Sequence, residues 1–303
     1  MRYFDLHCDT ATKLYRDSKT LATSERQISL STIGTFEKYG QVFAIFSNPE
    51  NSNDRAYQDF FDISSRFRID NNIEFCTDLL NGKIDCILSV EDARILNGDI
   101  SRLQKLYDEG VRIMTFLWGG VTCIGGSFDT DNGLTDFGSE VVVKCIELGI
   151  IPDISHASRR SADDILSIAE SYEAPVIASH SNSYTVNPHP RNITDETARR
   201  VASSGGVISI CLHGPHLGYN PNVGTAVDHI EHFINIVGTD AVCLGCDLDG
   251  TRELPNGIAN QSDIVKIAEE MSQRCHSEFV IEKIFYQNAF EFFKNNLGKK
   301  RGK

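Results

Sequence analysis

The sequence predicts an α/β protein, a closed (β/α)8 barrel of the TIM type. Short apolar, β-branched runs recur about eight times along 303 residues. Most runs are followed by an amphipathic stretch whose apolar residues stand three and four apart. Such alternation implies parallel strands joined by helical crossovers. A third observation separates the barrel from a doubly wound open sheet. The open sheet carries a glycine-rich turn after its first strand, where this chain has His7-Cys8-Asp9-Thr10.

The strand-like runs occupy 2–7, 41–47, 83–90, 111–117, 150–155, 174–179, 206–212 and 241–246. The clearest helical stretches between them are 54–68, 100–109, 138–148, 159–170, 194–203 and 226–237. Ser158 and Thr194 are helix-opening residues, because a side-chain oxygen there can accept from a free N–H of the first turn. Gly110, Gly149, Gly205 and Gly238 stand where helices should stop. Residues 10–40 are long and polar and read as an inserted loop or hairpin. Two more helical stretches, 262–274 and 279–297, follow the last strand, and the tail 298–303 reads as a solvated end. With no repeat, linker or low-complexity segment, 1–303 reads as a single barrel domain.

Composition narrows the function classes. A chain with 41% hydrophobic and 23% charged residues is ordinary for a soluble globular protein. Acids outnumber bases 42 to 29, a net charge of −13. Nucleic-acid binders rely on Lys and Arg to displace counterions from phosphates, so that class is excluded. No apolar run reaches the roughly 18 residues that a membrane helix needs, so no membrane partner is expected. The opening residues run straight into a polar motif without an apolar leader, and nine scattered cysteines read as free thiols. Both point to the cytoplasm. The lone CxxC, Cys243 to Cys246, lies in a predicted strand where an odd separation turns the thiols to opposite faces, so it reads as chance.

In a β/α barrel the site lies at the carboxyl ends of the strands. Five of the eight runs end there in His, Asp or Glu: His7 and Asp9, Glu91, Asp153 and His156, His180, and Asp247 and Asp249. Taken singly, each has a structural explanation. His156 and His180 could be satisfied core histidines, Glu91 could open a helix, and His7 with Asp9 could be a buried hydrogen-bonded pair. Their coincidence on one rim points to metal, because unpaired buried polar groups cost several kcal/mol each. His7 and Asp9 are two apart on a strand, so both can reach one ion. Imidazole and carboxylate without thiolate suit zinc, with manganese, cobalt or iron as alternatives. Three histidines and two or three acids exceed the needs of one four-coordinate ion and suit two ions sharing a carboxylate. Cys8 and Cys246 should point away from their ligand neighbours.

These residues resemble the membrane (renal-type) dipeptidase family of binuclear zinc peptidases, which share an amidohydrolase-like barrel. The resemblance rests on DLHCDT at 5–10, SVE at 89–91, LGIIPDISH at 148–156, APVIASHSN at 174–182, PRN at 190–192 and LGCDLDG at 244–250. It runs the length of the chain in the family's order. It implies His7 and Asp9 on one metal, His156 and His180 on the other, and Glu91 bridging the pair. It also implies Asp247 as the acid/base residue, Arg191 as the holder of the substrate's carboxylate, and a possible homodimer. The family's signal peptide and lipid anchor have no counterpart here. One position departs from the pattern: Trp118 stands after MTFL at 114–117, where the family's best-studied members carry a carbonyl-stabilising histidine. An indole N–H can donate one hydrogen bond but cannot become a cation.

The expected reaction is hydrolysis of a dipeptide by a hydroxide held between two metals, with Asp247 moving the proton to the leaving amine. A second reading keeps the barrel and changes the chemistry to that of a lactonase, deaminase or phosphoesterase. The His7-Cys8-Asp9 motif, rather than His-x-His, and Glu91, where many of those enzymes use a modified lysine, favour the dipeptidase. A third reading is a metal-binding barrel without catalysis, which only Trp118 recommends.

Overall fold

The computed structural model describes residues 1–80 and 84–302. Its strands are β1 (Arg2–Cys8), β2 (Lys38–Phe46), β3 (Ile84–Glu91), β4 (Val111–Thr115), β5 (Ile151–Asp153), β6 (Ile208–Ile210) and β7 (Val242–Leu244). They form one parallel sheet in the order β5-β4-β3-β2-β1-β7-β6. Lys83, the first residue of the expected third run, and Lys303 of the tail lie outside the described residues.

The expected sixth run, 174–179, is not a ladder strand. It makes one parallel bridge to each sheet edge, Ile177 with Asp153 and Ala178 with Ile208, and so joins β5 to β6. Pro175 offers no N–H, and the Val176 N–H donates to the Ser204 hydroxyl at 3.0 Å, which leaves little for a ladder. With that segment in place the sheet closes on itself as a TIM-like barrel.

Inside, strand residues from all around the ring meet in one apolar cluster. Phe4, Leu6, Val42, Ile87, Ile113, Ile151, Ile177, Val207 and Cys243 pack there, buried on a floor of Tyr286, Ala289, Phe292, Phe293 and Leu297. Gly40 makes room for this: the Phe4 ring occupies the space where its Cβ would stand. The floor comes from the C-terminal helical stretch, where a π turn at Lys283–Gln287 joins helices Glu278–Glu282 and Asn288–Asn296. Outside, helices Asn53–Asn71, Ser101–Asp108, Asp136–Leu148, Arg159–Ser171, Asp195–Ser203 and Val223–Val237 cover the strands. Ser158 and Thr194 cap their helices by accepting from the Ser161 and Thr197 N–H groups, as the sequence suggested.

Two expectations fail. The segment 10–40 is no hairpin: Thr10–Asp17 is a helix, Leu30–Ile33 a single turn, and β2 begins already at Lys38. The helix buries Thr10, Ala11, Thr12 and Leu14 on one face, a stripe that two threonines disguise as polar. The tail is not fully solvated either. The Arg301 N–H donates to the Ile146 carbonyl at 3.2 Å and its guanidinium to Asn296 at 2.8 Å. Among the described residues, no helix is long and apolar enough to cross a membrane.

Candidate metal centre

The carboxyl ends of the strands bring His7, Asp9, Glu91, His156, His180 and Asp247 together. A bulge in β1 aims the first of them. Asp5 pairs with Gln41 but Cys8 with Phe43, so β1 carries one more residue than β2 over this stretch. The Asp5 carboxylate fixes the bulge by accepting the His7 N–H at 2.9 Å and the Cys246 N–H at 3.2 Å. As a result Leu6 lines the barrel interior while His7, next along the chain, enters the site. Cys8 and Cys246 join the outer core, and Cys243 the inner one, so the CxxC thiols do face opposite ways.

On this rim His156, Asp247 and Asp249 adopt left-handed backbone, with φ of 68°, 58° and 64°. Such conformations cost of order 1–3 kcal/mol each and persist where neighbours over-determine them. The His156 carbonyl accepts from the Phe128 N–H at 2.9 Å, and the Asp247 N–H donates to the His7 carbonyl at 3.1 Å.

Glu91 stands at the centre. Its Oε2 lies 3.7 Å from His7 Nε2, and its Oε1 lies 3.0 Å from His156 Nε2 and 3.4 Å from His180 Nε2. Asp247 Oδ1 approaches His7 Nε2 at 3.9 Å. Two sets of three ligand atoms each fall within 4.8 Å of one another: His7, Glu91 and His180, and His7, Asp9 and Asp247. Among the described residues, His7 Nε2 and Asp9 Oδ1 are buried without a hydrogen-bond partner.

The proton positions show what the cluster can bind. His156 Nδ1 lies 3.1 Å from the Trp118 carbonyl, which can only accept, so the ring's proton is on Nδ1. Burial, reinforced by Arg191, lowers the pKa of His156 to about 4, so the ring is neutral and Nε2 is bare. His180 Nδ1 lies 2.8 Å from Ser179 Oγ, whose own hydrogen goes to Asp153 Oδ2 at 2.5 Å. Burial and the His7 charge likewise push His180 down, leaving its Nε2 bare. Two lone pairs 2.9 Å apart, facing a carboxylate oxygen, make a nest of acceptors without a donor. A cation satisfies it, and imidazole with carboxylate is the ligand set of zinc-type ions.

The acids respond to the same crowding. Burial raises Glu91, but His7 and the contacts with His156 and His180 outweigh it and hold Glu91 well below the ordinary range. Burial and Glu91 push Asp9 up, and burial, with Glu91 adding to it and His7 opposing, raises Asp247 to about 7. Burial works to lower His7, yet Glu91, Asp247 and Asp9 around it raise it to about 10.

Comparison with known proteins decides the family. The family model for membrane dipeptidases, peptidase family M19, matches residues 1–301. The chain belongs to this family. An uncharacterized dipeptidase of Schizosaccharomyces pombe is 30% identical over 257 residues, covering 73% of this chain and 60% of the relative. The chain thus spans about 60% of the length of that relative. Among solved structures, a family M19 metallopeptidase, dipeptidase AC, superposes with a TM-score of 0.88 at 21% identity over 99% of both chains. A metallopeptidase of Rhodobacter sphaeroides, bound to a phosphinate mimic of the dipeptide L-Ala-D-Ala, gives 0.85 at 22% identity over 98% of this chain and 99% of that one. Both share the fold of this M19 chain.

Two banks flank the cluster in this M19 barrel. On the His156 side the Trp118 ring packs 4.9 Å from Phe46, and Phe128 lies 6.1 Å from the His156 ring. Trp118 is 37% exposed, so it faces the opening as well as packing. On the other side Arg191 is buried, although a loop arginine beside proline reads as a surface residue. Its guanidinium donates to Ser181 Oγ at 3.1 Å and the His180 carbonyl at 3.0 Å, and its Nε–H has no partner among the described residues. His189, His213 and His216 stand beside it with rings 4.7 and 4.3 Å apart, each lowered by burial and Arg191. Sequence reasoning assigns no role to His213, His216 or Asp249. Asp249 fastens the rim, accepting from Thr10 at 2.7 Å and from the Gln27 N–H at 3.0 Å. His189, Phe46 and Phe128 escaped sequence reasoning because none ends a strand-like run in a metal-ligand pattern.

Proposed function

We propose that the chain hydrolyses dipeptides carrying a free terminal carboxylate, using two divalent cations, zinc first. His7 and Asp9 would hold one ion, His156 and His180 the other, with Glu91 between them. The observation that carries this reading is the division of Glu91: one oxygen faces His7, the other faces His156 and His180. Bound there, the ions would polarise the scissile carbonyl and supply an activated water.

The chain's own groups do the rest. In the metal-free chain burial raises Asp247 to about 7, and its place over His7 suits a group that first takes a proton and then gives it to the leaving amine. Its left-handed backbone aims the carboxylate over His7 rather than into the wall. Arg191 keeps an unpartnered Nε–H for an anion, and a carboxylate held there limits the pocket to short peptides ending beside it. Trp118 and its aromatic neighbours supply an apolar wall with one neutral donor, so carbonyl stabilisation leans less on a cationic side chain than the family pattern implies.

A panel of dipeptides and their C-terminal amides, assayed before and after chelation, tests this. Free dipeptides should be cleaved, their amides poorly, and chelation should abolish both rates until zinc is restored. Release of ammonia from amino-substituted rings, or cleavage of lactones or phosphoesters with no dipeptide turnover, would move the site to another amidohydrolase-type reaction.

A further inference from the structure

Beneath His180 lies a second carboxylate that the reaction does not touch. Asp153 is fully buried at the end of β5. Its Oδ1 accepts two backbone N–H groups, from Ser155 at 3.0 Å and Ser179 at 2.9 Å. Its Oδ2 accepts two hydroxyls, from Thr115 and Ser179, each at 2.5 Å. Four donors fill its four lone-pair positions, so this acid has no capacity left for a metal or a substrate. It ties the ends of β4 and β5 to the bridging segment 174–179, and two of its donors neighbour His156 and His180 in the chain.

One of these bonds has a consequence beyond packing. A serine hydroxyl has a single hydrogen. Because Ser179 donates it to Asp153, its oxygen can only accept from His180 Nδ1, 2.8 Å away. The imidazole proton is therefore held on Nδ1, and Nε2 is left bare toward Glu91 and His156. We propose that Asp153, acting through the Ser179 hydroxyl, is a positioning residue that sets the tautomer of His180 and so makes it a metal ligand. Asp5, the corresponding acid under His7, works differently: it accepts the His7 backbone N–H at 2.9 Å.

The relay makes a directional prediction for Asp153→Asn. The two backbone N–H groups require an oxygen at Oδ1, so the amide NH2 must replace Oδ2. That NH2 donates to Ser179 Oγ and frees the hydroxyl hydrogen, for which His180 Nδ1 at 2.8 Å is a nearer acceptor than Ser155 Oγ at 3.3 Å. The ring proton moves to Nε2 and blocks the lone pair that faces the metal. Outer-shell changes of this kind typically lower metal affinity about ten- to a hundredfold. Ser179→Ala removes the relay without reversing it, so its loss should be smaller. The double variant Asp153→Asn with Ser179→Ala should bind more tightly than Asp153→Asn alone, because nothing then forces the proton to Nε2. A merely structural role for Asp153 predicts the opposite order.

The inference rests on the metal reading above, and the test separates the two. Zinc affinity of the metal-free full chain is measured by competition with a coloured chelator, with no peptide present, and histidine tautomers are read from 15N NMR. The expected result is wild type tightest, then Ser179→Ala and the double variant, then Asp153→Asn, with Thr115→Val retaining wild-type affinity and the Nδ1–H tautomer. Equal affinity in Asp153→Asn and wild type, or a double variant weaker than Asp153→Asn, overturns the relay alone. A wild-type chain that binds no zinc overturns the metal reading and the relay together. Should Asp153→Asn not fold, unchanged zinc affinity in Ser179→Ala is sufficient to reject the relay.

Discussion

Gly250 offers a perturbation that separates function from folding. It lies three residues beyond Asp247, and its backbone is not in the left-handed region, so alanine is conformationally allowed there. A Cβ at this position would overlap Asp247 Oδ1 and Asp9 Oδ2 and stand 2.9 Å from Asp247 Cγ. Oδ1 is the limiting atom, and bringing it out to ordinary contact distance moves the Asp247 carboxylate by roughly 1–1.5 Å. The atoms that yield are the ends of side chains, and an off-rotamer shift of that size costs about 0.5–1.5 kcal/mol. The fold should survive. A displacement near 1 Å in a catalytic group costs roughly a hundredfold in rate. Gly250→Ala should therefore fold with a nearly unchanged denaturant midpoint and lose about two orders of magnitude in kcat on dipeptides. Gly245→Ala is the contrast, because its Cβ would overlap the Ser179 backbone carbonyl and stand 2.9 Å from Ser209 Cβ. Backbone cannot step aside, so that variant should fail to fold. Wild-type kcat in a folded Gly250→Ala protein would refute the placement of Asp247 and Asp9 in the reaction.

Asp247→Asn removes the proposed proton carrier but leaves His7, Asp9, Glu91, His156 and His180, so kcat should fall about 10²–10⁴-fold while elemental analysis finds the metal retained. Without metal, the pKa of His156 lies at about 4 against an ordinary 6.5, so the unfolded chain takes up that proton first as pH falls. Its stabilising contribution is full above pH 6.5 and is lost as pH drops toward 4, a difference of up to about 3 kcal/mol that denaturant melts of the chelated protein can follow. Trp118 touches His156 through its carbonyl, so Trp118→Ala should keep metal affinity and raise KM most for dipeptides with large apolar side chains. Lost metal in that variant would show that the indole itself shapes the centre.

The sequence carried the barrel because its signal is repeated: apolar runs and helical stretches alternate often enough that one irregular member does no harm. That member, 174–179, has a strand's composition, but Pro175 and the Val176 bond to Ser204 reduce it to two bridges, and no periodicity rule sees a side-chain competitor. The helix Thr10–Asp17 was hidden by threonines that are buried despite being polar. At the site, the six residues brought together were legible because strand ends are a fixed place in this architecture. What orients them was not. The Ser179 relay depends on which atom of a short side chain meets which, and the Asp5 bulge depends on a register shift that the pattern of residues does not encode. Arg191 illustrates the same gap, since its burial comes from the loop folding back over His180 rather than from anything in Pro190-Arg191-Asn192.

The most direct measurement is an elemental count of metal on the chain purified without added ions, repeated after dialysis against chelator and after zinc is returned. The geometry around Glu91 predicts about two divalent ions per chain, removed by chelator and restored by zinc together with dipeptide cleavage. A purified, folded chain that carries no divalent metal and takes up none would contradict it, because the bare His156 and His180 nitrogens would then need some other cation between them.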